Sequence, residues 1–431
     1  YMLGYRLWNA DTTEIVYEPA DQGLKYKFWR QPYNSDVHNV FVKGTATLSN
    51  PVYWLTNGKG ASYINENLTV NVNYLNTDNF EEGSYVLEVF SEDTRENAAQ
   101  EFVDITISKM PPELLYVRNA GANQELEVRW SEYESPTLAG YRIYYSSDEN
   151  LENWNLAADE NTLTTDSTRA YFESQDDFIE TPSETAKYFY LTAVDTNGSE
   201  SKRSDIYSAF APGDSSQYKQ ALIVDGFDKF TGSEGWSEPS HYFNTSYFNS
   251  ILANDTMRIS SAYDWAVREE LIDLKDYDMV FWFVGDNSRN ENTFVGQEQG
   301  KVAYYLEAGG TVFVSGSEIG YDLDNMGHGG TDPSDTLFYR HFLKSTLIHT
   351  GASVLTNSFG VKGTPFEGLA FDFGGIYTDS EPDDIEPVYG GQTMINYDYK
   401  RGNDTTEYRK CAVAYTGTFR ESEKNHSGKY W

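Results

Sequence analysis

The sequence GGTVFVSGSEIGYDLD, residues 309–324, contains the strand and the turn that decide the fold of the C-terminal half of the chain. Two glycines end a preceding helical pattern, and the apolar run at 312–314 is typical of a buried strand. The next five residues, GSEIG, have the Gly-x-nucleophile-x-Gly spacing of a strand-to-helix elbow, with Glu318 at the nucleophile position. The stretch leaves three interpretations open: an active site, an inactive one, or a turn that only resembles one.

Around this stretch, apolar runs alternate with helical patterns from residue 217 onward. The runs are ALIVDG (221–226), MRIS (257–260), MVFWFVG (279–285), TVFVS (311–315) and SVLTN (353–357). Helices are predicted at 240–253, 263–274, 293–308 and from Ser334 to about Thr350. Strands that alternate with helices and lack an exposed polar face predict a parallel sheet with crossovers. We therefore predict a doubly wound, flavodoxin-like α/β domain over residues 217–431, with β-type patterns after residue 363.

Residues 1–109 alternate apolar and polar side chains, which is typical of half-buried strands. The clearest examples are LTVNVNYL (68–75) and SYVLEVFSED (84–93), and Gly, Asn and Asp clusters separate the runs as turns. This pattern predicts a β-sandwich. Because the chain begins at an apparent strand, we expect the protein to extend upstream of Tyr1.

Residues 110–212 begin with Met-Pro-Pro, a linker signal, and again alternate. The runs ELEVRW (125–130), GYRIYYSS (140–147) and KYFYLTAVDTNGSES (187–201) resemble a fibronectin type III domain. One departure is that Lys187 stands at the family's corner tyrosine and Tyr188 follows one place later, which puts the corner hydrogen bond in question. The resemblance implies a β-sandwich that acts as a spacer or binding module.

Residues 217–417 resemble a class I glutamine-amidotransferase-like domain, in the xanthan-lyase-like form of secreted bacterial proteins. The resemblance rests on ALIVDGFDKF, GGTVFVSGSEIGYDLD, DTLFYRHFLKSTL, DDIEPVYGG and AVAYTG. The family continues with a strand bearing Gly-Phe-Pro-Phe, which the sequence does not reach by Trp431. We therefore expect the C-terminal domain to be truncated in this chain.

Amidotransferases proper use a cysteine at the elbow, activated by histidine and glutamate. Here Glu318 takes that position, Cys411 lies in a late predicted strand, and no histidine forms the family's His-x-Glu motif. The resemblance thus implies a degenerate domain without glutaminase activity. An alternative is a serine nucleophile, Ser317 or Ser315, with His328 as base; otherwise both serines bond the backbone of the turn.

Ligands of open α/β sheets lie beyond the carboxyl ends of the strands. The residues predicted at that edge are Asp225, Asp228, Asp286, Asn287, Ser317, Glu318, Asp322 and Asp324. Oxygen ligands suit hard cations, so the candidate metal site for Ca²⁺ or Mg²⁺ is Asp225, Asp286 and Glu318. The alternative is that these carboxylates are solvated or cap nearby helices.

Composition excludes several classes of partner. The chain has 67 acidic and 32 basic residues and a formal net charge of −35, which opposes binding to nucleic acid or an anionic membrane surface. The single cysteine excludes an internal disulfide. The longest apolar run, MVFWFV, is far shorter than the roughly 20 residues of a membrane span, so membrane insertion is not expected.

The sequence favours a non-catalytic structural or adhesive protein, secreted by or displayed on a bacterial cell. Its expected partners are an exopolysaccharide, which its 34 tyrosines and 9 tryptophans could stack against, or other proteins of a larger surface assembly. The alternative is a divalent-metal-dependent hydrolase or lyase acting on polysaccharide or peptidoglycan, or an accessory part of such an enzyme. The oligomeric state stays open.

Overall fold

The computed structural model describes most of the chain in separate ranges. These are residues 2–19, 22–28, 68–70, 75–81, 83–93, 95–107, 110–120, 125–172, 186–210, 218–227, 241–254, 257–285, 293–324, 332–350, 357–373 and 382–419. The chain divides into two compact units, Tyr1–Met110 and Pro111–Trp431. The segments predicted as a second sandwich and as an α/β domain both lie in the second unit.

The first unit is an antiparallel sheet. Its strands are β1 (Met2–Asn9), β2 (Ile15–Tyr17), β3 (Leu24–Phe28), β4 (Leu68–Val70), β5 (Gly83–Glu92) and β6 (Ala98–Ile107). Their order is β4-β3-β1-β5-β6, and β2 pairs with β1. The prediction of an all-β unit is confirmed, but the described residues form one sheet, so a second sheet of the predicted sandwich is not among them. Residues 71–74 of the predicted strand LTVNVNYL lie outside the described residues.

Alternation along β1 explains why this segment forms a strand with one buried face. Tyr5 and Leu7 are fully buried, whereas Arg6 and Trp8 lie on the opposite face. There, the Trp8 Nε1–H donates to Glu88 Oε2 at 2.8 Å, and Arg6 pairs with the same carboxylate at 3.4 Å. The polar face of the sheet is therefore held by a shared carboxylate on β5.

The second unit begins with a β-sandwich. Its strands are β7 (Leu114–Ala120), β8 (Glu125–Trp130), β9 (Leu138–Ser146), β10 (Asn155–Ala158), β11 (Arg169–Phe172), β12 (Lys187–Asp195) and β13 (Tyr207–Ala209). One sheet has the order β10-β9-β12-β13, and β11-β8-β7 belongs to the other. The buried ring of Trp130 packs against Tyr141, with 5.4 Å between centroids. The predicted sandwich is confirmed.

The two residues at the predicted tyrosine corner, Lys187 and Tyr188, have other partners in the structure. Lys187 donates to Ser147 Oγ at 2.5 Å, and its ammonium lies over the ring of Tyr145. The Tyr188 hydroxyl donates to Asn249 Oδ1 at 2.6 Å, on a helix of the α/β segment. The tyrosine of this corner therefore bonds the neighbouring segment rather than its own sandwich.

Four parallel strands follow the sandwich, joined by helices. The strands are β14 (Gln220–Asp225), β15 (Arg258–Tyr263), β16 (Met279–Gly285) and β17 (Thr311–Gly316), in the order β15-β14-β16-β17. The helices are α1 (Phe243–Asn254), α2 (Asp264–Arg268), α3 (Gly296–Glu307), α4 (Ile319–Asp324) and α5 (Pro333–His341). The first four predicted strands and their parallel pairing are confirmed. Among the helices of the described ranges, none has the length and hydropathy of a membrane span.

Two predicted helices are shorter than expected, and backbone reversals explain both. The helix predicted at 263–274 ends at Arg268, because Glu270 adopts a left-handed φ of 61°. The helix predicted to reach about residue 350 ends at His341, and Lys344 has a φ of 57°. The prediction for residues 345–349 is wrong: they form a strand. The predicted fifth strand, SVLTN, lies almost entirely outside the described residues.

The remaining strands form two small antiparallel sheets. The new strand β18 (Ser345–His349) pairs with β21 (Asp384–Pro387), and the other strands are β19 (Asn357–Gly360), β20 (Ala370–Asp372), β22 (Gln392–Lys400) and β23 (Tyr408–Ala414). The order of the larger sheet is β20-β19-β22-β23. The strands predicted from QTMINYDY and KCAVAYTG are confirmed as β22 and β23.

The sandwich and the parallel strands share one sheet. Strand β7 pairs antiparallel with β15, which gives a seven-stranded sheet in the order β11-β8-β7-β15-β14-β16-β17. At the junction, Asn119 Nδ2 donates to the carbonyls of Phe210 and Ile259 at 3.2 and 3.0 Å. Its backbone N–H donates to Ser260 Oγ at 3.1 Å. The two segments are therefore joined by a hydrogen-bonded network as well as by the chain.

We expect Asn119→Ala to lower the free energy of unfolding of the second unit by about 1–2 kcal/mol, because the hydrogen bonds that its side chain donates to Phe210 and Ile259 are lost, while each carbonyl keeps a backbone N–H donor. Urea unfolding followed by tryptophan fluorescence measures this. The matched control is Asn403→Ala, at an exposed turn residue, which should change little. Equal effects of the two substitutions would contradict the role assigned to Asn119.

Candidate functional site

The turn after β17 has the backbone of a nucleophile elbow. Strand β17 ends at Gly316, α4 begins at Ile319, and Glu318 between them has a φ of 54° and is 2% exposed. A side chain in the left-handed region costs roughly 1–2 kcal/mol. This strained position between a strand and a helix is where such elbows hold the reactive side chain. The elbow geometry anticipated from the sequence is present, with a buried carboxylate at its centre.

Packing explains the two glycines of the elbow. A Cβ on Gly316 would lie 2.3 Å from Cγ2 of Val284. One on Gly320 would lie 2.9 Å from the Tyr339 hydroxyl and 3.0 Å from Asp383 Oδ2. Neither position has room for a side chain, so the Gly-x-x-x-Gly spacing is required by the approach of neighbouring strands and helices, whether or not the turn is catalytic.

A distant carboxylate caps the short helix of the elbow. Asp383 Oδ2 accepts from the backbone N–H groups of Gly320 and Tyr321 at 2.8 and 3.0 Å. These are donors that the first turn of a helix leaves without an intrahelical partner. Asp383 precedes β21 and is more than sixty residues from the elbow in sequence. Sequence reasoning missed it because no local pattern links the two segments.

Asp322, predicted at the ligand edge, bonds the segment before α3. Its Oδ2 accepts from the backbone N–H of Thr293 at 2.8 Å and from the Thr293 hydroxyl at 2.7 Å. Burial raises the pKa of the Asp322 carboxyl, although the two bonds from Thr293 favour the ionised form. This carboxylate joins α4 to the start of α3.

Asp324, also predicted at the edge, joins α4 to β18 and α5. Its Oδ2 accepts from the Thr346 hydroxyl and from the backbone N–H of Leu347, both at 2.8 Å. Its Oδ1 lies 2.8 Å from Nε of Arg340. A buried carboxylate with this set of donors is a structural anchor, which corresponds to the capping alternative.

Asp225 lies at the carboxyl end of β14 and is 3% exposed. Its Oδ1 accepts from the backbone N–H of Phe227 at 3.1 Å. The neighbouring Tyr247 hydroxyl shares a short hydrogen bond with Ser315. Burial raises the pKa of Tyr247 and, much further, that of Tyr207, and the charge of Asp225 adds to both shifts. Asp225 therefore faces a buried polar region rather than open solvent.

Sequence reasoning missed one carboxylate at this edge. Asp264 is the first residue of α2, directly after β15, and is 4% exposed. The prediction ended the second strand at residue 260, whereas β15 extends to Tyr263. A correct boundary would have identified Asp264. Buried carboxylates thus follow three of the four parallel strands, at Asp225, Asp264 and Glu318.

The remaining predicted edge residues are only partly described. Asp228, Asp286, Asn287 and the proposed base His328 lie outside the described residues. Ser317 donates its backbone N–H to the Gly285 carbonyl at 2.7 Å. Within the described ranges, no three histidine, cysteine or acidic side chains are grouped to hold a metal ion. The candidate cation site includes Asp286, so it stays a prediction.

Cys411 does not have the environment of a reactive thiol. It lies on β23, with its Sγ 3.9 Å from Ser358 Oγ. Burial raises the pKa of the thiol to about 12, so the nucleophilic thiolate is scarce at neutral pH. The sequence analysis placed Cys411 in a late strand, away from the elbow, and the structure agrees.

No family model and no curated protein matches the chain. A two-domain fibronectin type III segment of chicken tenascin is similar at 13% identity over 32% of this chain and 68% of that chain, with a TM-score of 0.20. The FN1–FN3 domains of chicken CNTN1 are similar at 11% identity over 49% of this chain and 56% of that chain, with a TM-score of 0.19. A β-1,2-glucanase from Parabacteroides distasonis is similar at 18% identity over 49% of this chain and 28% of that chain, with a TM-score of 0.18. TM-scores this low carry no argument, so the sandwich assignment rests on the strand pairing described above.

We expect Glu318→Gly to be more stable than Glu318→Ala by about 1 kcal/mol, because glycine adopts a left-handed φ without a Cβ penalty. Both variants lose the same carboxylate, so their difference isolates the backbone term. At the exposed Tyr304, inside α3, the order should reverse, since glycine weakens a helix by about 1 kcal/mol relative to alanine. Chemical unfolding of the four variants measures both differences; a more stable alanine at position 318 would contradict the elbow strain.

The raised pKa of Asp322 gives a pH dependence with a defined sign. Its contribution to stability is complete below the ordinary value of 3.8 and is lost as pH rises through the folded-state pKa. We expect wild type to gain stability relative to Asp322→Asn as pH falls from about 7 to about 4. Hydrogen bonds from Thr406 lower the pKa of Asp404, so Asp404→Asn should show the opposite slope. Unfolding curves at several pH values test both signs.

Proposed function

We propose that this chain is a non-catalytic module of a secreted or cell-surface protein, in which a degenerate amidotransferase-like α/β domain acts as a structural or adhesive scaffold. The observation that carries the proposal is the elbow. Its backbone is that of a catalytic turn, but its centre is occupied by Glu318, which is 2% exposed. A nucleophile or general base must be reached by its substrate.

The uses of the neighbouring carboxylates support the same conclusion. Asp322 accepts hydrogen bonds from Thr293, and Asp324 accepts them from Thr346 and Leu347 and forms an ion pair with Arg340. Both are committed to holding α4 against adjacent elements. These two residues, which the sequence assigned to a ligand edge, therefore contribute hydrogen bonds to the fold, as expected when a site is retained as a scaffold.

The topology supports the domain assignment within this proposal. Numbered within the α/β segment, the parallel strands have the order 2-1-3-4, which is how a flavodoxin-like sheet begins. The sandwich before them has the strand pairing expected from the fibronectin type III resemblance. Because β7 pairs with β8 of the sandwich and with β15 of the parallel strands, the two segments share one sheet. A shared sheet is suited to presenting a surface. A net charge of −35 favours solubility and opposes anionic partners.

A second candidate function is that of a divalent-metal-dependent hydrolase or lyase acting on polysaccharide or peptidoglycan. It is favoured by the buried carboxylates Asp225, Asp264 and Glu318, which follow three parallel strands at one edge of the sheet. Carboxylate oxygens suit divalent cations, but within the described ranges no three acidic side chains are grouped to hold an ion, so this candidate needs further ligands. This candidate requires turnover that depends on a metal and on Glu318.

A turnover assay separates the two candidates. The full chain is incubated with xanthan and with peptidoglycan, with Ca²⁺ or Mg²⁺ and with chelator, and new reducing or unsaturated ends are measured. We expect no turnover under any condition. Chelator-sensitive turnover that is lost in Glu318→Ala and kept in Glu269→Ala, at an exposed turn residue, would establish the enzyme instead.

A further inference from the structure

Strand β6 is an unusually exposed edge of the first unit. It pairs with β5 over ten residues without a register shift, and it ends the sheet in the described part of the chain. Eight of its ten residues are exposed, on both faces of the sheet. A strand with both faces open packs against little of its own unit, so its position depends on pairing with β5.

The outer side of β6 offers a complete row of backbone groups. In an antiparallel pair, alternate residues direct their N–H and C=O groups away from the partner strand. Residues 98–107 make hydrogen bonds only with β5 within the described ranges, and their side chains make no ion pair there. Natural sheets protect such edges with very short strands, charged side chains, proline or bulges. Strand β6 has ten residues, no proline, no lysine and no bulge, and its only charged side chains are Glu101 and Asp104.

The side chains at the centre of β6 have an ordered pattern. Phe102 and Val103 are 46% and 45% exposed and lie on opposite faces, since successive residues of a strand alternate. Glu101 and Asp104 flank them and are also exposed. The free edge therefore presents an apolar pair between two carboxylates.

We propose that β6 accepts an extended segment of a partner protein as an additional strand. The partner segment carries lysine or arginine opposite Glu101 and Asp104 and apolar residues opposite Phe102 and Val103. Backbone hydrogen bonds supply a sequence-independent part of the affinity, and the side-chain pairs supply the specificity, as in other cases of strand addition. Strand β6 belongs to the first unit and the elbow to the second, and the proposal does not depend on the function proposed for the elbow.

Charge selects a basic partner over a second copy of the chain. In the antiparallel register that pairs Phe102 with Val103, Glu101 of one copy faces Asp104 of the other. In a parallel, in-register pair each carboxylate faces itself. Like charges directly opposite destabilise a strand pair, and two chains of net charge −35 repel each other at longer range.

The test uses the full 431-residue chain and synthetic peptides matched in length to β6. The probe peptide consists of threonine and valine, with valine at the two positions that face Phe102 and Val103 and lysine at the two positions that face Glu101 and Asp104. A second peptide has glutamate at those positions, and a third is the lysine peptide with N-methylated amides on its bonding edge. Fluorescence anisotropy measures the dissociation constants. We expect saturable binding of the lysine peptide, and binding weaker by about tenfold or more for the other two.

Charge reversal on the protein gives the complementary test. Glu101→Lys combined with Asp104→Lys should exchange the preference, so that the glutamate peptide binds more tightly than the lysine peptide. The matched control is Glu132→Lys with Glu134→Lys, two exposed acids in the second unit that give the same change in net charge. This control should retain the wild-type preference, and circular dichroism confirms that each variant is folded.

Three results would overturn the proposal. The first is no saturable binding of the lysine peptide to wild type. The second is binding that is unaffected by N-methylation or by charge reversal on β6. The third is a homodimer in sedimentation that Phe102→Lys dissociates, because β6 would then be the interface of a second copy.

Discussion

The antiparallel pairing of β7 with β15 is the constraint on which the second unit depends. It places a strand of the sandwich beside the second strand of the parallel series, so that neither sheet has a free edge at the junction. The Asn119 side chain adds hydrogen bonds at this junction by donating to the carbonyls of Phe210 and Ile259. The orientation of the parallel strands, and with it the edge where the elbow lies, follows from this junction.

At the elbow, packing constrains the two glycine positions, Gly316 and Gly320, and does not constrain which side chain lies at the centre. Val284 excludes a side chain at Gly316, and Tyr339 and Asp383 exclude one at Gly320. At this turn the packing of neighbouring side chains accounts for both glycines without any catalytic requirement. The elbow spacing therefore indicates architecture first, and chemistry only when a reachable nucleophile and its base accompany it.

The sequence predicted those features that depend on neighbours in the chain. Apolar runs such as MVFWFVG identified buried parallel strands, and the glycines at 316 and 320 identified the elbow. It did not predict that Asp324 bonds Thr346 or that Asp383 caps α4, because those partners are distant in sequence. The helix predicted to continue beyond residue 341 does not form there, because the antiparallel pairing of β18 with the distant β21 outweighs local helical periodicity.

The shared sheet also determines how the protein can be divided. The chain looks divisible at residues 211–217, where its composition is that of a linker. A fragment that began there would lack β7 and would expose the edge of β15, together with the Ile259 carbonyl to which Asn119 donates. Such a fragment would be prone to aggregation through β15, whereas a fragment from residue 111 would keep the seven-stranded sheet whole.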